Sequence, residues 1–95
     1  MDSKHEIETG IGSLGKIKII KALAEGDKLA TIYLLHKKTH LKRDDIKKNL
    51  DDLLRIDWIR RSKYASVVYS INPNNQQVAR FVEYLRQAGY LQELQ

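Results

Sequence analysis

Cysteine is absent from the chain, and three kinds of chemistry go with it. No disulfide framework, thiolate metal site or thiol nucleophile is possible. Proline occurs once, at Pro73, and methionine and tryptophan once each. No apolar run approaches the roughly 20 residues that a membrane-spanning helix needs. The opening residues, MDSKHEIETG, are polar and carry acids, which does not fit a secretory signal peptide. The expected location is the cytoplasm, with no membrane partner. Of the 95 residues, 42% are hydrophobic, which is too apolar for a disordered tail and enough for one domain with one modest core.

Catalytic constellations are missing as well. Ser13, Ser62, Ser66 and Ser70 lie in no nucleophile motif. Carboxylates such as Asp51 and Asp52 are expected on a solvated helix face, because a core this small leaves little room for a general-base pocket. The expectation is a protein that is not an enzyme, with no cofactor and no bound metal.

Two motifs would suggest otherwise, but each lacks its context. Gly10 to Gly15 spells G-x-G-x-x-G, and Gly10 to Lys16 spells most of a P-loop, with Ile17 where the hydroxyl ligand to magnesium belongs. Both motifs need a strand before the loop and a parallel sheet behind it. His5 to Thr9 is too short and polar for that strand, and no βαβ unit follows. His36 and His40 have the i, i+4 spacing of metal ligands, but no third ligand accompanies them, and His40 is expected past a helix end.

Hydrophobic periodicity supplies the architecture. Residues 1–12 read as a flexible arm, and residues 13–95 as the domain. With Ser13 as N-cap, Leu14, Ile17, Ile20, Leu23 and Ala24 fall at helical spacing until Gly26-Asp27 stops them. A second helix is expected from about Leu29 to Lys38, with Ile32, Leu35 and either Leu34 or Tyr33 turned inward. After Thr39-His40-Leu41, a third runs from about Lys42 to Ile56, with Ile46, Leu50, Leu53 and Leu54 on one stripe. The period then changes. Trp58 to Arg61 and Ser66 to Ile71 read as two strands of a hairpin turning at Lys63-Tyr64-Ala65, with Val67, Tyr69 and Ile71 on one face. Asn72 as N-cap and Pro73 as first helical residue open a fourth helix, about 73–93. The fold class is mainly α with a small β-hairpin. Its order is that of a winged helix-turn-helix: a three-helix core, a two-stranded wing and a C-terminal helix.

Charge is concentrated under this pattern. Between His36 and Lys63 there are ten Lys or Arg and five Asp, a net +5 over 28 residues. The other 67 residues carry seven basic and seven acidic side chains, so the whole excess of +5 lies in the central segment. Such a segment is either a footprint for a polyanion or a solvated face.

The stretch from Thr39 to Pro73, THLKRDDIKKNLDDLLRIDWIRRSKYASVVYSINP, resembles the core of winged-helix transcriptional regulators of the MarR and ArsR kind, especially small archaeal ones. The resemblance spans roughly residues 13–90. It rests on the spacing of Leu41, Ile46, Leu50, Leu54 and Ile59, followed by Tyr69-x-Ile71-x-Pro73. It implies a transcriptional regulator that binds double-stranded DNA. Two departures stand out: Asp57 occupies a position where such proteins often have glycine, and the wing tip is short and lacks glycine.

In this arrangement the third helix lies in the major groove. Placing Ile46 and Leu50 in the core turns Asp44, Lys48, Asp51, Asp52 and Arg55 outward. Arg43, Asp44, Lys47 and Lys48 are the candidates for base edges. Lys42 and the end of helix two, Lys37 and Lys38, are the candidates for phosphates. Arg60, Arg61 and Lys63 belong to the wing. Asp44 could accept from a cytosine amino group, or it could sit where it does because the helix dipole favours anions in the first turn. Asp51 and Asp52 would repel a nearby phosphate. The fourth helix carries Val78, Val82 and Leu85 on one stripe and Phe81, Tyr84, Ala88 and Leu91 on another, so a homodimer through the second stripe is expected. The alternatives are a winged-helix adaptor for protein–protein contacts, which Asp44, Asp51 and Asp52 favour, and a general chromatin-associated, nucleoid-bound protein.

Overall fold

The computed structural model describes residues 14–25 and 29–91. The expected N-terminal arm, the Ser13 cap and the Gly26-Asp27 stop lie outside the described residues. Those that are described form α1 (Leu14–Ala24), α2 (Ile32–Thr39), α3 (Arg43–Arg55), β1 (Ile59–Lys63), β2 (Val67–Ile71) and α4 (Gln76–Gln87). The chain is thus mainly helical with one small antiparallel hairpin. No described helix is long and apolar enough to cross a membrane.

Helix α1 is central. It buries Ile19, Ile20, Ala22 and Leu23 and packs against α2, α3, α4 and β2. The expected stripe is therefore rotated: Ile19 is fully buried, whereas Leu14 is exposed and Ile17 only half-buried. A helix with neighbours on several sides needs apolar residues beyond a single stripe.

Helix α2 starts three residues later than its periodicity suggests. Thr31 is in extended conformation, and its Oγ1 accepts from the Leu34 amide at 3.1 Å, which makes it the N-cap. The preceding residue, Ala30, is drawn into the sheet. Its amide donates to the Tyr69 carbonyl at 3.0 Å, and the Tyr69 amide donates back at 2.8 Å. Tyr69 therefore lies between β1 and this one-residue bridge.

The connection from α2 to α3 is tightly bonded. The Thr39 hydroxyl is buried, donates to the Leu35 carbonyl at 2.7 Å and accepts from the Leu41 amide at 3.2 Å. His40 takes a left-handed conformation, φ 61°, and its amide reaches the His36 carbonyl. His36 Nδ1 donates to the Leu41 carbonyl at 2.7 Å. Helix α3 then buries Ile46, Leu50 and Leu53, as its periodicity predicts, with Leu54 half-buried at the edge.

The step from α3 into β1 is a Schellman turn. The Asp57 amide bonds to the Leu54 carbonyl and the Trp58 amide to the Leu53 carbonyl, at 3.1 and 3.0 Å. Asp57 is left-handed at φ 63°, the conformation for which glycine is the usual residue. Aspartate tolerates it better than most side chains. Asn72 clamps this corner from the far end of the hairpin: its Nδ2 donates to the Asp57 carbonyl at 2.9 Å, and its amide donates to the Trp58 carbonyl at 2.9 Å.

The strands pair in register from Ile59 opposite Ile71 to Lys63 opposite Val67, with 64–66 as the turn. Tyr69 is buried, and its face-mates Val67 and Ile71 pack against the core as expected, but Val68 and Ser70 on the other face are half-buried as well, so the strand does not alternate cleanly between core and solvent. Trp58 is buried against Phe81, their ring centroids 5.9 Å apart. Helix α4 begins at Gln76 because Asn75 is its cap, Oδ1 accepting from the Val78 amide at 3.0 Å. Asn72 and Pro73 are therefore the turn before the helix, with Asn72 Oδ1 accepting from the Asn74 amide. Gly89, at φ 73°, ends α4 in a second Schellman turn, Gly89 to Arg86 and Tyr90 to Leu85.

The corner at Asp57 yields a stability test. Asp57→Val should lower stability by about 1–2 kcal/mol, because a β-branched side chain in the left-handed region meets the following carbonyl. Asp57→Gly should leave the melting temperature unchanged or raise it. Thermal denaturation followed by circular dichroism checks both; a domain of this size shifts by roughly 4–8 °C per kcal/mol.

Candidate nucleic-acid interface

At 100° per residue, the core contacts of Ile46, Leu50 and Leu53 set the rotation of α3. The outermost line of the helix is then Asp44, Lys48, Asp51 and Arg55, and all four are exposed. Arg43 and Lys47 lie on the flank away from α1, and Asp45 and Asp52 on the flank toward it. Asp44 and Asp45 occupy the first turn of α3, where the amide dipoles favour anions; Lys42 precedes them at the N-cap position and makes no side-chain cap bond.

Asp52 is not the outward acid that the sequence suggests. Lys16 Nζ of α1 approaches its Oδ2 at 3.0 Å, and Arg55 approaches its Oδ1 at 3.1 Å, in a partly shielded position. The hydrogen bond from Lys16 is the main cause holding the Asp52 carboxyl below its ordinary value; burial opposes it, and the charges of Lys16 and Arg55 reinforce it. On the same flank, a Cβ at Gly15 would lie 2.6 Å from Asn49 Nδ2, so the missing side chain lets α1 and α3 approach closely. The glycine and lysine that close the P-loop-like motif therefore serve helix packing: Gly15 by its smallness, Lys16 by its ion pair. Gly10 to Ser13 lie outside the described residues.

The remaining nominated cations are on the surface. Lys37 and Lys38 are exposed at the end of α2, and Lys37 Nζ sits 5.5 Å from the ring centroid of Tyr33. Lys42, Arg43, Lys47 and Lys48 are exposed at the start of α3. In β1 only Ile59 is buried; Arg60, Arg61 and Lys63 are exposed, so solvent reaches both faces of the strand beyond Ile59. Among the described residues, Arg43, Lys47, Lys48, Arg60, Arg61 and Lys63 form no ion pair.

Two aromatic side chains join this surface. Tyr33, 57% exposed, lies beside Lys37 on α2, and Tyr64, 70% exposed, follows Lys63 in the hairpin turn. Helical phase alone left Tyr33 undecided between core and surface. Tyr64 carried a readable signal, an aromatic residue directly after a lysine in a turn.

Elsewhere the nominated residues separate. Of the stripe assigned to a second copy, Phe81 packs against Trp58 and Leu91 against the core, while Tyr84 and Ala88 are exposed. Gly89 ends the helix before Leu91, so the four residues do not form one helical stripe. His40, past the end of α2, is exposed, and His36 Nδ1 is committed to the Leu41 carbonyl. No three potential His or carboxylate metal ligands gather among the described residues. A cavity of about 590 Å³ between α1, the end of β2 and α4 is lined by Leu23, Ile71, Pro73 and Val82 among others, with no carboxylate or histidine in its wall. Compared with protein families, with curated proteins and with solved structures, the chain matches none.

The Asp52 pairing predicts a pH signature. A carboxyl whose value is lowered in the folded state contributes stability above the unfolded value of about 3.9, and that contribution is lost as pH falls through the folded value. Asp52→Asn should cost on the order of 1 kcal/mol or less at pH 7, as partly exposed ion pairs do. The gap between variant and wild type should close once the pH falls below the folded-state value. Urea denaturation at stepped pH measures this.

Proposed function

We propose that the chain is a winged-helix protein that binds double-stranded DNA, with α3 as the helix that enters the major groove and the β1–β2 hairpin as the wing. Binding, with no catalytic step, is the activity. The observation that carries this reading is the exposure of the basic segment. The cations that make up its excess of +5 stand in solvent on the outer side and one flank of α3, at the end of α2 and on β1. One of its five aspartates, Asp52, is meanwhile paired with a lysine from outside the segment. A helix presenting exposed cations in its first two turns, followed by a hairpin edged with more, suits a duplex backbone on either side of a groove. Arg43, Asp44, Lys47 and Lys48 are assigned to base edges, Lys37, Lys38 and Lys42 to phosphates, and Arg60, Arg61 and Lys63 to the flanking backbone.

Dimerisation loses most of its motive. Phe81 and Leu91 already have partners within the chain, and Tyr84 with Ala88 is far less than a stable interface of about 1,200 Å² requires. A second reading, an adaptor that docks on another protein, is favoured by the mixed signs on the outermost line of α3.

A gel-shift series on duplex DNA across salt concentrations tests the proposal. Each phosphate contact adds about 0.9 to the negative slope of log affinity against log salt. Replacing Arg60 and Arg61 together by alanine should lower that slope by about two and weaken all sequences alike. Arg43→Ala or Lys48→Ala should instead cost about 1–3 kcal/mol on a preferred sequence and little on others. Affinity that ignores salt between about 50 and 200 mM would favour the adaptor.

A further inference from the structure

The five aspartates of the basic segment divide by what the fold asks of them. Asp44 and Asp45 lie in the first turn of α3, where the free amides favour negative charge, so their presence has a reason within the fold even though Asp44 is also a base-edge candidate. Asp52 holds Lys16 and Arg55. Asp57 supplies the left-handed residue of the Schellman turn. Asp51 has no such task. It lies in the third turn, away from either helix end, is exposed, and among the described residues makes no ion pair and no side-chain hydrogen bond. Its i+4 neighbour Arg55 pairs with Asp52 instead.

Its position is specific. Asp51 falls on the outermost line of α3, between Lys48 and Arg55, on the ridge that would lie deepest in a groove. An unpaired carboxylate there would weaken binding to any polyanion unless it met a donor. The major groove offers two such donors, the amino groups of adenine and cytosine; adenine's lies beside its N7 acceptor, which repels a carboxylate, so cytosine N4 is the better partner, and the guanine opposite it presents the O6 and N7 acceptors that suit a lysine or arginine. We propose that Asp51 is a specificity-determining residue of this surface, accepting from a cytosine amino group, with Lys48 or Arg55 taking a guanine beside it. This rests on the DNA-binding reading above. It adds that binding is sequence-selective and that the preferred site contains a G·C pair at the position Asp51 meets.

The test is selection from a randomised duplex pool by wild type, Asp51→Asn and Asp51→Ala, each full-length, with circular dichroism to verify folding. Asp51 is exposed and unpaired, so neither variant removes a core contact. Wild type should select a site with one position restricted to cytosine, by about 5- to 150-fold over the other bases. Asp51→Ala should lose the preference at that position alone. Asp51→Asn should shift it toward adenine, whose N6 and N7 pair with a carboxamide. If both variants select the wild-type site and bind every duplex more tightly, Asp51 is a repulsive bystander and the inference fails while DNA binding stands. Wild-type binding without sequence preference also overturns the inference and leaves DNA binding intact. Failure of wild type to retain any duplex overturns both.

Discussion

The rotation of α3 about its own axis is the constraint on which the surface of this protein depends. Ile46, Leu50 and Leu53 fix it from below by entering the core. The flank facing α1 fixes it again, through the Lys16–Asp52 ion pair and the close approach at Gly15 and Asn49. A turn of one residue position would carry the outermost line from Asp44, Lys48, Asp51 and Arg55 to a different set of side chains. Two independent anchors, one apolar and one ionic, therefore decide which charges face solvent. The apolar anchor supplies most of the stability, since a partly exposed ion pair contributes little by itself. The contribution of Lys16–Asp52 is direction.

The same helix sets up the hairpin. The Schellman turn at Asp57 reverses the chain within two residues, so Trp58 drops into the core beside Phe81 and β1 leaves directly from the end of α3. Asn72 bonds to both Asp57 and Trp58, tying the end of β2 to the start of β1. Ala30 secures Tyr69 from the other side. The hairpin base is held at three points, while its tip, with Lys63 and Tyr64, stays in solvent.

What could be read from the sequence was the local part. The burial of Ile46, Leu50 and Leu53 follows from an amphipathic helix with one buried face, and the shared face of Val67, Tyr69 and Ile71 follows from a strand. Both need only the residues concerned. Most of the misplaced features depend on partners distant in the chain; the early end of α4 is the exception, set locally by the left-handed Gly89. The start of α2 moved because Ala30 pairs with Tyr69. The start of α4 moved because Asn72 reaches Asp57, which leaves Asn75 to cap the helix. Asp52 looked like a solvated acid because its partner, Lys16, lies on another helix. The stripe on α1 was misjudged because a helix surrounded by neighbours has no single buried phase. For the candidate site, exposure of the cations was legible from their periodicity, whereas the division of the aspartates into structural and unassigned was not.

These pieces support one physical account: a core-anchored α3 displays a line of charges chosen by its rotation, and a tethered hairpin extends the cationic surface beyond it. Amide chemical-shift mapping of isotope-labelled protein titrated with duplex DNA tests that account most directly. The account predicts that the largest shifts fall on the exposed residues of α3, on Arg60 to Tyr64 and on the end of α2, with α4 and the cavity beneath Pro73 unaffected. Shifts confined to α4 or to that cavity, or an unchanged spectrum with DNA in excess, would contradict it.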